Sequence, residues 1–404
     1  MKKLQPELRF KEFSGDWEEK KLGEVSKNTM YGMNSSAIKY DGKHKYIRIT
    51  DINENSRKFS PRPLSSPDGN IEEKFKLIEN DILFTRTGAS VGKTYIYNKE
   101  DGDLYFAGFL IKFNIDKANS KFIFNSTLKE KYNKWVSIMS MRSGQPGINA
   151  EEYKSLRLNL PTISEQEKIA NFLSSMDEKI QKLEGKKEKL GEYKKGIMQK
   201  VFSQEIRFKD EDGQSFPDWE EKKLGEIAHI KRGASPRPIT DPKWFSDKKE
   251  VGWVRISDVS KSNKYLKETL QYLSDEGIKK SRYIEPENMI MSICATIGKP
   301  IYTTFPVCIH DGFIVFDKLQ SNKEYLYYFL QMIQKRWYRY GQPGTQVNLN
   351  SDIVSSEKIP YPCLEEQEKI ADFLSSMDEK IEKVKGEIDR MEEFKKGLLQ
   401  GMFV

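Results

Sequence analysis

Between residues 165 and 202 apolar side chains recur at alternating steps of four and three: Ile169, Leu173, Met176, Ile180 and Leu183, then Leu190, Ile197 and Val201, with lysines at positions 187 and 194 between them. A seven-residue apolar period predicts a long helix with a narrow seam, the pattern of a coiled-coil strand. The pattern returns at 366–403 with Ile370, Leu374, Met377, Ile381, Val384, Ile388, Met391, Leu398 and Met402. The first stretch begins EQEKIANFLSSMDEKI and the second EQEKIADFLSSMDEKI, and the offset is 201 residues at both ends (366 − 165 and 403 − 202). No residue has been gained or lost, so this is one helix written twice.

What precedes each helix repeats as well, more loosely. DWEEKKLGE stands at 16–24 and again at 218–226. Joining Val404 to Met1 would therefore close the chain into a ring of two equivalent units, each a lead-in segment, a globule and a helix, with a pseudo-twofold axis and the chain ends close together. Inside each globule, YIRITDI (46–52) and WVRISDV (253–259) alternate like half-buried strands. ENDILFTRTGASVGKTYIY (79–97) and ENMIMSICATIGKPIY (287–302) read as apolar strands broken by a small-residue turn ending in Gly-Lys, and FAGFLIKFN pairs with HDGFIVFD. A short helical stretch follows, then GQPG at 144–147 and 341–344, which demands a turn, and a strand ending in proline. The expected fold is α+β: two mixed α/β domains separated by two long antiparallel coiled-coil helices in an internal pseudo-twofold repeat. The expected boundaries are 1–161, 162–203, 204–362 and 363–404. Antiparallel pairing follows because the second globule is attached to the end of one helix and the start of the other. It places Ile169, Leu173, Met176 and Ile180 near Met391, Leu398 and Met402.

Composition narrows the class. A chain of 404 residues can hold two or three domains, and 37% apolar with 32% charged residues fits domains joined by exposed helices. No run of some eighteen apolar residues and no signal peptide is visible, so a soluble, cytoplasmic protein is expected. Cys294, Cys308 and Cys363 form no metal or disulfide spacing and read as reduced structural cysteines. A net charge of +7 permits a polyanionic partner without demonstrating one.

Candidate chemistry points to binding. GASVGKT (88–94) is one residue short of a phosphate-binding loop, and CATIGKP has lost the first glycine and the hydroxyl. A strand-joining turn is the simpler reading, and one that could still offer backbone N–H groups, Arg86, Ser90 and Lys93, or Thr296 and Lys299, to a nucleic-acid phosphate. His44, His229 and His310 have no catalytic partners at a meaningful spacing, and no dinucleotide or adenine-methyltransferase motif occurs. Lys231, Arg232, Ser235 and Arg237 of KRGASPRP could reach guanine and phosphate, or form a solvated basic loop; the first copy reads MYGMNSSA there, without an arginine. Gln145, Gln342, Thr345, Gln346 and Asn348 around the GQPG turns could bond adenine edges or stabilise the turns. Arg48 with Asp51, and Arg255 with Asp258, read first as structural ion pairs. A two-headed adaptor for protein or RNA, and a solitary nuclease or methyltransferase, stand as alternatives to a DNA-binding scaffold.

Taken together, EQEKIA…FLSSMDEKI, the strand-proline approach at Pro161 and Pro362, DWEEKKLGE, RITDI with RISDV, and the GQPG turns resemble the specificity subunit of type I restriction-modification systems. The resemblance covers essentially the whole chain. It implies that each globule is a target recognition domain reading half of a split duplex sequence, and that the helices dock two methyltransferase subunits, with restriction and translocase subunits joining them. It implies no enzymatic activity and no cofactor here; S-adenosylmethionine, ATP and magnesium would belong to the partners. One departure is that six residues separate the second GQPG from Asn350 (350 − 344), and only two separate the first from Asn149 (149 − 147).

Overall fold

A computed structural model describes residues 5–340 and 349–404. Gln342, Thr345, Gln346 and Asn348 lie outside the described residues. The chain divides into two compact units, Met1–Glu184 with Gly386–Val404, and Gly185–Lys385.

In the first unit the strands that build the frame are β1 (Glu18–Lys21), β2 (Ser26–Tyr31), β3 (Asp81–Thr85), β4 (Thr94–Ile96), β5 (Leu110–Ile115) and β6 (Arg157–Leu160), beside shorter strands that include the pair Lys45–Ile47 and Leu104–Phe106. The helices are α1 (Ser120–Ser126), α2 (Glu130–Met139), α3 (Ala150–Lys154) and the start of α4 (Ile163–Phe202). The second unit has β7 (Glu220–Lys223), β8 (His229–Arg232), β9 (Met289–Ser292), β10 (Pro300–Thr303), β11 (Phe313–Asp317) and β12 (Lys358–Tyr361). Its helices include α5 (Lys323–Ile333), α6 (Ser351–Ser356) and the start of α7 (Leu364–Gly401). The main sheet runs β2-β5-β3-β4 in one unit and β8-β11-β9-β10 in the other, these four strands antiparallel in each; in the second unit a fifth, two-residue strand, Tyr265–Leu266, pairs parallel with β10, and the lead-in strand pairs antiparallel with the strand before the long helix in both units.

Every residue of β3 is buried, because helices cover one face and a short parallel strand pair covers the other. This is why Ile82, Leu83 and Phe84 at its centre are consecutive apolar residues and do not alternate. On the helical face of the first unit, Phe84 and Phe113 of the sheet pack with Phe122, Tyr132, Tyr153, Ile169, Leu173, Met176, Leu399, Met402 and Phe403. In the second unit Met291 and Ile314 pack with Tyr325, Phe329, Met198, Val201, Phe202, Ile370 and Leu374. Within each unit the start of one long helix meets the end of the other, so the pairing is antiparallel. Leu398 joins the first cluster and Ile180 is buried, whereas Met391 is half-buried outside it. Along the seam Met377 and Val384 are buried and Leu183 and Ile381 half-buried.

The heptad gap at Lys194 and its equivalent at Lys395 each carry a charge pair. Lys194 Nζ lies 2.6 Å from Asp378 Oδ1 in the second unit, and Lys395 Nζ lies 2.5 Å from Asp177 Oδ1 in the first. The four residues obey the same 201-residue offset (395 − 194 and 378 − 177), which only an antiparallel register produces.

The repeated Glu-Gln at the head of each helix is a latch. Arg9 clasps Glu165 through Nε and Nη2, both at 2.8 Å. Arg207 grips Glu366 through Nη2 at 2.8 Å, and Trp219 Nε1 donates to the same carboxylate at 2.7 Å. Gln166 Oε1 accepts from Asn119 N at 2.9 Å while its amide donates to Pro161 O at 2.8 Å; Gln367 makes the same two bonds with Asn322 and Pro362 at the same distances. One dipeptide thus ties the lead-in segment, the helix and the N-cap of the helix that follows the sheet.

Two readings of the alternating pattern change. Of YIRITDI and WVRISDV only the first two residues lie in strands, Lys45–Ile47 and Gly252–Val254; Ile49–Asp51 is a 3-10 turn and Ile256–Lys261 a helix. The aspartates cause the break, since Asp51 Oδ2 and Asp258 Oδ2 each accept from the backbone N–H at the turn's N-cap at 2.9 Å. Arg48 does form an ion pair with Asp51 at 2.8 Å, but Arg255 Nε donates to Gln271 Oε1 at 2.8 Å instead. Among the described residues, no helix is long and apolar enough to cross a membrane.

Candidate nucleic-acid interface

The Gly-Lys turns join β3 to β4 and β9 to β10, as strand connections. Gly92 (φ +84°) and Gly298 (φ +71°) provide the left-handed residue, and a Cβ there would meet Val136 at 2.5 Å or Trp337 at 2.1 Å. The lysines that follow face inward. Lys93 Nζ reaches Glu54 at 2.5 Å and Ile52 O at 3.3 Å, and Lys299 Nζ donates to Val259 O at 2.7 Å and Ser262 O at 2.6 Å. Burial holds the Lys299 amine below its usual value. These ammonium groups tie the sheet to the carbonyls after the RITD and RISD turns, and that consumes the donors expected to meet phosphate.

The remaining candidates gather on the loops at one end of each sheet. In the first unit Gly88 N donates to Pro146 O at 3.0 Å and Ile148 N to Arg86 O at 2.8 Å, so the GQPG turn is stitched to the β3–β4 turn and brings Gln145, Arg86 and Ser90 together. The Arg86 guanidinium lies 5.0 Å over the Tyr31 ring. The Ser90 carbonyl accepts from Thr85 Oγ1 and from Lys93 N. Phe109, whose carbonyl accepts from Arg86 N at 3.0 Å, stands 59% exposed beside it.

In the second unit Lys231 Nζ pairs with Asp317 at 2.6 Å along the sheet edge. Arg232 Nε donates to Asp311 O at 2.7 Å, and Arg282 Nε donates to Arg232 O. Ser235 Oγ donates to Asp311 Oδ1 at 2.7 Å, with exposed Arg237 at 3.8 Å from the same carboxylate, and this bond holds the Asp311 carboxyl below its ordinary range. Thr296 and Ser260 share a hydroxyl contact at 2.6 Å. His310 serves the fold: its Nδ1 accepts from Gly312 N at 2.9 Å, and burial pulls its pKa down. Asn149 and Asn350 both cap short helices, which confirms their equivalence.

The backbone also fixes how the two sets of loops correspond. Gly32 N donates to Leu110 O at 3.1 Å and Gly233 N to Phe313 O at 2.9 Å. A Cβ at these glycines would sit 2.2 Å from Ala107 O and 2.1 Å from His310 O, so no side chain fits either place. Leu110 therefore matches Phe313, and the shared Gly-Phe of FAGFL and HDGFI is one residue out of structural register. Tyr31 and Phe109 escaped sequence reading for this reason, although a large aromatic at the solvent end of a strand was a usable signal. SPRP, at 235–238, also recurs at 60–63 in the first unit with Arg62 exposed, displaced along the chain and so overlooked.

The type I restriction modification DNA specificity domain matches residues 14–192 and again 217–393. A Methanocaldococcus jannaschii chain described as the MjaX specificity subunit of a type I restriction enzyme is 27% identical over 96% of this chain and 93% of its own length. The MjaVIII specificity subunit of the same organism is 26% identical over 80% and 77%. The type I restriction-modification S subunit from M. genitalium shares the fold at a TM-score of 0.58, with 18% identity and 99% of each chain covered. With the duplicated helix, the twice-built sheet and two matches to one domain, the chain belongs to the type I restriction-modification specificity subunits.

Proposed function

We propose that this specificity subunit binds double-stranded DNA through both recognition domains, each reading one half of a bipartite target, and that it scaffolds methyltransferase and restriction subunits. The chain is a recognition component and not an enzyme. S-adenosylmethionine, ATP and magnesium belong in this reading to the partners. The observation that carries it is the contrast inside each unit. The frame repeats, from the Glu-Gln latch to the glycine against the carbonyl, while the described loop ends carry different side chains. Tyr31, Arg86 and Phe109 stand on one, and Arg232, Ser235, Arg237 and Asp311 on the other. A common frame with unlike rims suits two different half-sites; backbone and phosphate contacts position a protein, and only side chains at base edges specify sequence.

Replacing residues 25–150 with the corresponding segment of another member of the family tests this. Methylation mapping of cells carrying the chimaera should show one half-site altered and the other kept. Alteration of both halves would refute separate reading by the two domains.

A further inference from the structure

Both units hold one guanidinium at the same place and deliver it from different strands. Arg86 N donates to Phe109 O and its carbonyl accepts from Ile148 N; Ile293 N donates to Gly312 O and its carbonyl accepts from Leu349 N. Arg86 and Ile293 are therefore equivalent, and so are Tyr31 with Arg232 and Gly108 with Asp311, given the glycine register. In the first unit Arg86 Nη1 reaches the Gly108 carbonyl at 3.5 Å; in the second, Arg232 Nε donates to the equivalent Asp311 carbonyl at 2.7 Å. The pair Tyr-Arg has become Arg-Ile, and one arginine per domain survives the exchange. Ile293 is 1% exposed, so packing at that position has no need of a cation.

We infer that this guanidinium is the base-reading group of each domain, and that each half-target carries a guanine that it contacts. The inference rests on the DNA-binding reading above. An arginine tethered at one edge is ordered before the ligand arrives, and the rest of its planar fork has no bonded partner among the described residues. Two N–H groups side by side match guanine O6 and N7 in a major groove, which a lysine's point charge cannot do. Asp311 leaves the Arg232 fork open, because its carboxylate turns to Ser235 and Arg237.

The test uses the full chain and a duplex carrying its target as mapped by methylation, with guanines replaced singly by 7-deazaguanine. The wild type should lose affinity at one guanine in each half. Arg86→Gln should bind roughly 5- to 150-fold more weakly, the span of one bidentate base contact, and become indifferent to the substitution in one half only. Arg232→Gln should do the same in the other half, and neither Arg86→Lys nor Arg232→Lys should rescue. Full rescue by lysine, or equal weakening on every sequence, would assign the arginines to phosphate and overturn the inference. A melting temperature that falls in step with affinity in both Gln and Lys variants would assign them to holding the loops, and overturn it too. A wild type that binds no duplex would instead remove the DNA-binding reading, and this inference with it.

Discussion

Lys194 occupies a place where the heptad calls for an apolar residue, and its replacement by methionine should show how much the charge contributes. The Lys194 side chain is 10% exposed and that of Asp378 30%. The ammonium also lies 3.4 Å from Gln331 Oε1 and 4.6 Å over the Tyr328 ring. Burial pulls the amine's pKa down, and Asp378 opposes it. Stranding a fully buried charge costs about 3–5 kcal/mol. Asp378 keeps the Tyr328 hydroxyl, which donates at 2.7 Å, and some solvent, so its loss is smaller. Methionine retains the packing of the lysine stem. Lys194→Met should therefore cost about 2 kcal/mol, between the buried and surface limits. The mirror change Lys395→Met should cost about 1 kcal/mol, because Asp177 is 46% exposed. Asp378→Asn should cost about as much as Lys194→Met, and the double variant should cost little more than either single one. Denaturant unfolding would measure the totals, and hydrogen exchange would place the first loss in residues 185–385 and the second in the other unit. Additive single costs, with no coupling, would refute the pairing and the antiparallel register read from it.

Glu366 accepts from Arg207 and from Trp219, whereas Glu165 accepts from Arg9 alone and Trp17 Nε1 has no partner. Glu366→Gln should cost about 2–3 kcal/mol and Glu165→Gln roughly 1 kcal/mol less, read as a difference in chemical-denaturation midpoint. Lys129 donates to Phe403 O at 2.6 Å, and burial pulls its amine down to about 8 from the ordinary 10.5. Between those pH values the unfolded chain holds more protons than the folded one, so the group's stability contribution rises with pH across that window. Unfolding free energies at a series of pH values should show the wild type gaining on Lys129→Met from about pH 8 upward. A gap that stays constant would exclude the shift.

The long helices were legible in the sequence because their signal is local: a seven-residue period and its echo contain both the element and its mate. The β3 and β9 runs were legible for the same reason. What escaped reading depends on contacts between distant residues. Glu165 meets Arg9 across 156 positions, and nothing in EQEKIA announces a latch. Lys93 and Lys299 looked like phosphate ligands because a Gly-Lys turn resembles one, and only the fold reveals carbonyls waiting beneath. YIRITDI looked like one strand because a carboxylate capping its own backbone leaves the alternation intact while ending the strand after Ile47. The loop rims were the least legible part, since an exposed side chain leaves no periodic trace and one-residue offsets such as Phe109 against Gly312 cannot be seen without the backbone bonds.

The latch bears on how new specificities can arise. Glu165 with Gln166, and Glu366 with Gln367, close each globule onto its helix through an arginine, a backbone N–H and a proline carbonyl, and the sequence EQEKIA is the same in both copies. A crossover between two related genes within this stretch would leave every closing bond to be remade by an identical residue. The seam can therefore be cut and rejoined without a misfit, and a whole recognition surface can be inherited in one step.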